Sequence, residues 1–160
     1  MAEGTTYIRM MLDVLNKKES HLNRLLEYTE EQERLLKKTE LDEVEFTKLV
    51  EKKGEILQKI EEFDNGFQAI FNRVEEELKG NKEAYKELIL EMQGMITRIT
   101  DLGVRLTALE RKNRSSLELK LREKKQGIRQ FKVSKQTADK YYKNMMGMQT
   151  GASYFMDQKH

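Results

Sequence analysis

No proline interrupts the 160 residues of this chain, and its apolar side chains recur at steps of three, four and seven. The first fact removes the residue that most reliably breaks a helix. The second places apolar groups on one face of a helix, where a strand would need steps of two. Charged residues make up 36% and hydrophobic ones 38%, so the core has to be a narrow seam between long helices. The expected fold is therefore all-α: an elongated antiparallel helical hairpin plus a long third helix, forming a three-helix coiled-coil-like bundle, with an irregular C-terminal tail.

Three stretches carry the pattern. The first, about residues 6–38, aligns Ile8, Leu12, Leu15, Leu22, Leu25, Leu26 and Leu36. The second, about 43–78, opens at LDEVEF, where Asp42 can cap and Glu45 stands three residues later, the arrangement of a capping box. Its stripe reads Phe46, Leu49, Leu57, Ile60, Phe63, Phe67, Ile70, Val74 and Leu78. A break at KGNK follows, with Gly80 suited to a helix C-terminus and Asn81 to the next N-cap. The third stretch, about 82–144, carries Tyr85, Leu88, Met92, Met95, Ile99, Leu102, Leu106 and Leu109 before its spacing changes. There Asn113 and Ser116 occupy seam positions, and Leu117, Leu121, Ile128, Phe131, Ala138 and Tyr142 then resume the stripe. Residues 1–144 read as a single helical domain, and 145–160 as a flexible tail rich in Met and aromatic residues.

Alternating steps of three and four mark helices packed side by side, and the short breaks at 39–42 and 79–81 fold consecutive helices back on one another. A third helix reaching residue 144 is nearly twice as long as its neighbours. Its second half is expected to project past the hairpin, leaving the stripe from Leu117 to Tyr142 without a partner inside the chain. Charge is distributed to match. Acidic residues outnumber basic ones thirteen to seven between Glu27 and Asp64, whereas Arg111–Lys143 holds twelve basic and three acidic residues. The formal net charge is only +2, so this is internal polarity rather than a generally basic protein. A stripe flanked by Lys and Arg suits an acidic amphipathic helix, an anionic membrane surface or a nucleic acid. Regular hydrophobic interruptions and the lack of a helix-turn-helix pattern argue against nucleic acid as the partner. Folding back, or self-association through the same stripe, would also cover it.

Catalytic chemistry has little to build on. Cysteine is absent, which excludes disulfides and thiolate metal sites and fits a reducing compartment. His21 and His160 are the only histidines, and neither follows a Glu at the spacing di-iron bundles use. Acidic neighbours such as Glu30 and Glu31 do not share a helix face. The nine glycines are scattered, with no phosphate-cradling loop. MAEGTTYIRMMLDVL lacks the basic start and apolar run of a secretory signal. No stretch approaches the roughly 18 apolar residues of a membrane helix. The expectation is a cytoplasmic non-enzyme with no cofactor, no metal and no membrane insertion.

Two segments carry a family resemblance. The Asp-ended break followed by EVEFTKLVEKKGEILQKIEEF resembles the second helix of FlgN-type flagellar export chaperones, with Asp42, Leu49, Lys52, Lys53, Ile56 and Leu57 fitting the pattern. LTALERKNRSSLELKLREKKQGIRQF is similar to the family's third-helix signature, in which Asn113 is preceded by Leu106 and Leu109 and followed by Leu117 and Leu121. The closing YYKNMMG and YFMDQK resemble the tails of clostridial-type members. Ser115 and Ser116 depart from the pattern, where bulkier apolar residues are commoner. The resemblance implies a type III export chaperone that holds hook-associated (hook–filament junction) proteins and delivers them to the flagellar export gate. The related FliT-type chaperones of the filament cap protein, or a client-free structural coiled coil, are the alternatives. The implied cargo-binding residues are Asn113, Leu117, Leu121, Ile128 and Phe131. Tyr154, Phe155 and Met156 form a tail motif that either docks on the bundle or serves another partner.

Overall fold

The computed structural model describes residues 2–123 and 154–156. Three helices account for nearly all of them: α1, Ala2–Leu36; α2, Glu43–Gly80; and α3, Lys86–Glu123. No strand occurs among the described residues. The all-α bundle expected from the spacing is the fold observed.

Local chemistry sets the helix ends. Asp42 caps α2 from an extended backbone, and its Oδ1 accepts from the Glu45 backbone N–H at 3.1 Å. Asn81 was expected to cap the third helix but caps the end of the second. Its backbone N–H donates to Leu78 O at 3.3 Å and its Nδ2 to Glu77 O at 3.0 Å, satisfying carbonyls that the helix leaves open. Residues 82–85 form turns, with Ala84 N–H donating to Asn81 O, so α3 starts at Lys86 rather than 82. The expected continuation of this helix through 124–144 lies outside the described residues.

Side-chain pairs show the direction of each helix. Lys18 meets Asp64 at 2.6 Å and Arg73 donates to the Tyr7 hydroxyl at 3.4 Å, so α1 and α2 run antiparallel. Arg98 meets Glu19, Lys112 meets Glu33, and Lys120 donates to Lys38 O, so α3 runs parallel to α1. Helix α1 packs closely against both others, whereas among the described residues no Cα of α2 comes within 8 Å of a Cα of α3. Side chains therefore have to fill the space between α2 and α3.

The expected length mismatch turns on residues 124–144 and so lies outside the described residues. The described part of α3 runs for 38 residues, as many as α2, or about 57 Å at the helical rise. Lys120 sits level with the end of α1, donating to Lys38 O at 2.6 Å. The hairpin thus covers α3 beyond Asn113 and Leu117.

Candidate functional site

All three seams turn polar at the same level. On α1 the series Leu22, Leu25, Thr29, Gln32, Leu36 keeps its three-four step while two members become polar. On α2 Lys53 falls between Leu49 and Ile56, and on α3 Glu110 and Asn113 fall between Leu106 and Leu117. All five polar residues are buried. Lys53 Nζ donates to Gln32 Oε1 at 2.7 Å and forms an ion pair with Glu110 Oε1. The Thr29 hydroxyl lies 3.1 Å from the same carboxylate oxygen and 2.7 Å from Leu25 O, so its single proton serves one or the other. Asn113 Nδ2 donates to Thr29 O at 2.9 Å, and its Oδ1 has no hydrogen-bond partner among the described residues. Burial pulls the Lys53 ammonium below its ordinary pKa, and the Glu110 carboxylate pushes back.

This layer divides the interior in two. A long apolar core runs from Ile8 to Leu106 on one side. On the other, Leu36, Phe46 and Leu117 form a small cluster, with Leu35, Leu41, Val50 and Leu121 against it. Two of the expected cargo residues, Asn113 and Leu117, are therefore inside the bundle, at 5% and 6% exposure. The expectation that the apolar area of Leu117 stands free is corrected, because the α1–α2 end reaches far enough to cover it. Leu121 is half-buried at the rim of the small cluster. Ile128 and Phe131 lie outside the described residues.

A second feature sits towards the other end of the bundle. Tyr154, Phe155 and Met156 form one helical turn lodged between α2 and α3. Phe155 is fully buried, its ring 6.2 Å from that of Phe67 and 5.9 Å from that of Phe71, edge-to-face in both cases. Gln93 Nε2 on α3 donates to Phe155 O at 2.7 Å. Tyr154 packs on Phe71 at 5.4 Å, and burial raises its phenol pKa. This turn belongs to the stretch expected as a flexible tail, and it is docked in the core. Met156 is exposed.

A protein-family model described as FlgN protein matches residues 7–146. The chain belongs to the FlgN family. That makes it a flagellar export chaperone, a class that binds flagellar client proteins and is not enzymatic. Comparisons with curated proteins and with solved structures each found no match.

No group of three or more His, Asp or Glu that could hold a metal occurs among the described residues, and no helix there is long and apolar enough to cross a membrane. His21 packs edge-on to Phe63 at 4.9 Å, and its Nδ1 lies 2.9 Å from Lys17 O. Sequence reading missed the Lys53–Glu110 pair. The available signal was the unbroken step Phe46, Leu49, Lys53, Ile56, Ile60, which puts a lysine on the core face.

Proposed function

We propose that this chaperone holds the C-terminal helical segment of hook-associated flagellar proteins in the cytoplasm, prevents their premature assembly, and delivers them to the type III export gate. Membership of the FlgN family carries this reading. The sequence supports it through the basic stretch of regularly spaced apolar residues that follows Glu123. A client helix would lie against Leu121, Ile128 and Phe131 in helix-in-groove fashion, with Asn113 and Leu117 holding the end of α3 from within. Lys and Arg around these positions would steer an acidic client and set salt dependence more than affinity. No cofactor is needed.

Co-expression with hook-associated proteins and, separately, with the filament cap protein tests the proposal. A stoichiometric complex with a hook-associated protein is expected. A complex with the cap protein alone would assign the chain a FliT-like role, and a client-free oligomer would make it a structural coiled coil. Within a complex, Leu121→Ala and Phe131→Ala should each weaken binding by about 2 kcal/mol, or roughly thirtyfold, with small changes in melting temperature.

A further inference from the structure

The separation between α2 and α3 leaves a cleft, and what fills it near Gln93 is remote in sequence. Phe155 enters thirty-two residues after Glu123 and packs on Phe67 and Phe71 from α2. Gln93 from α3 donates to the backbone carbonyl of Phe155. The cleft thus holds a buried aromatic ring, a second ring at its margin (Tyr154 on Phe71) and the carbonyl of a helical turn, none of them peculiar to one sequence. An amphipathic helix with an aromatic anchor offers the same ring and carbonyl. Met156, beside Phe155, is exposed.

We propose that this cleft is a docking site for an aromatic-anchored helical segment of the client, and that residues 154–156 fill it until the client arrives. The inference rests on the client-binding reading above and adds a location and a competitor. Gln93 and Leu121 stand about 42 Å apart along α3, so a client helix of about 28 residues would reach both. The cost of expelling the turn lowers the apparent affinity of the resting protein, because only the fraction with an open cleft can bind. The chaperone thereby discriminates against weak apolar peptides that cannot displace its own Phe155.

The test uses the full-length chain and its Phe155→Ala variant with two probes. One is the C-terminal helical segment of a hook-associated protein, and the other is a peptide of residues 151–160 of this chain. Phe155→Ala should bind the client segment about tenfold more tightly than the parent. The 151–160 peptide should bind the variant, compete there with the client segment, and bind the parent weakly. Hydrogen exchange on the unmodified chain gives a readout independent of the variant's folding: saturating client should expose the amides of 154–156. Equal client affinity for parent and variant, or client bound with 154–156 still protected, would overturn the cleft while leaving the client reading intact. If the client segment binds neither protein but the 151–160 peptide binds the variant, the client reading fails and the cleft stands as a peptide site. Failure of that peptide to bind the variant as well would refute the cleft.

Discussion

Lys53 on α2 and Glu110 on α3 form an ion pair inside the bundle, joining the two helices whose backbones stay farthest apart. Removing one partner leaves the other charged and buried. Lys53→Met alone, or Glu110→Leu alone, should each destabilise the fold by about 3–5 kcal/mol. The double variant should come within about 1 kcal/mol of the parent or exceed it, because paired apolar residues avoid the desolvation penalty that the ion pair carries. Urea unfolding of the four proteins forms a complete double-mutant cycle. Small losses in both single variants would show that the pair is in contact with water.

Two phenylalanines on α2 separate core from margin. Phe67 is 2% exposed and packs on Phe155, whereas Phe63 is half-buried against His21. Phe67→Ala should cost about 3–5 kcal/mol, and Phe63→Ala clearly less. Thermal melts that ranked them equally would contradict the assigned face of α2.

Glycines give opposite signs on the same substitution. A Cβ at Gly4 would overlap the Tyr85 hydroxyl and stand 2.7 Å from Glu77 Oε1, disrupting the 2.6 Å bond in which that hydroxyl donates to Glu77. Gly4→Ala should therefore destabilise by about 1–3 kcal/mol. Gly54 and Gly66 have open space around the missing Cβ and lie inside α2, so Ala there should stabilise by up to about 1 kcal/mol each. Chemical denaturation decides the sign in each case, and a stabilising Gly4→Ala would mean that α1 does not approach Tyr85 closely.

Tyr154 links docking to pH. Burial raises its pKa above the ordinary 10.0, with nearby Glu75 adding to the rise and Lys79 opposing it. The docked state thus favours the neutral phenol. Its contribution is complete below pH 10.0 and is lost as pH rises through the higher docked value. Tyrosinate absorbance of the parent minus that of Tyr154→Phe should show one late-titrating ring, and the protection of residues 154–156 should fall with it. Tyr85, raised by its bond to Glu77, needs a Tyr85→Phe control. A Tyr154 that titrates at its ordinary value would place the ring in solvent.

The bundle was legible because long helices declare themselves by period, and Asp42 and the breaks near 40 and 80 supplied the ends. The site was legible only in part. Asn113 was visible as a polar residue on a seam, but Lys53 was passed over because a lysine ordinarily marks the solvent face. Reading Leu57, Phe63 and Ile70 as the α2 stripe placed on the core face three residues that are half-buried, and it missed Ile56 and Phe71. Helix α2 faces both α1 and the cleft, so its buried face is wider than one row. Docking of Phe155 left no trace in periodicity, since the three residues Tyr154, Phe155 and Met156 are too few to show one.

Leucine-rich seams are repetitive, and a repetitive seam can be assembled in more than one alignment. The polar layer removes that freedom. Sliding α3 by one heptad would bring Leu117 or Gly103 to the place of Glu110 and leave Lys53 facing no carboxylate. An uncompensated buried charge costs several kcal/mol, a large share of the roughly 5–15 kcal/mol by which a domain is stable at all. Of the many packings that Leu and Ile would accept about equally well, one is left in which every buried charge has a partner.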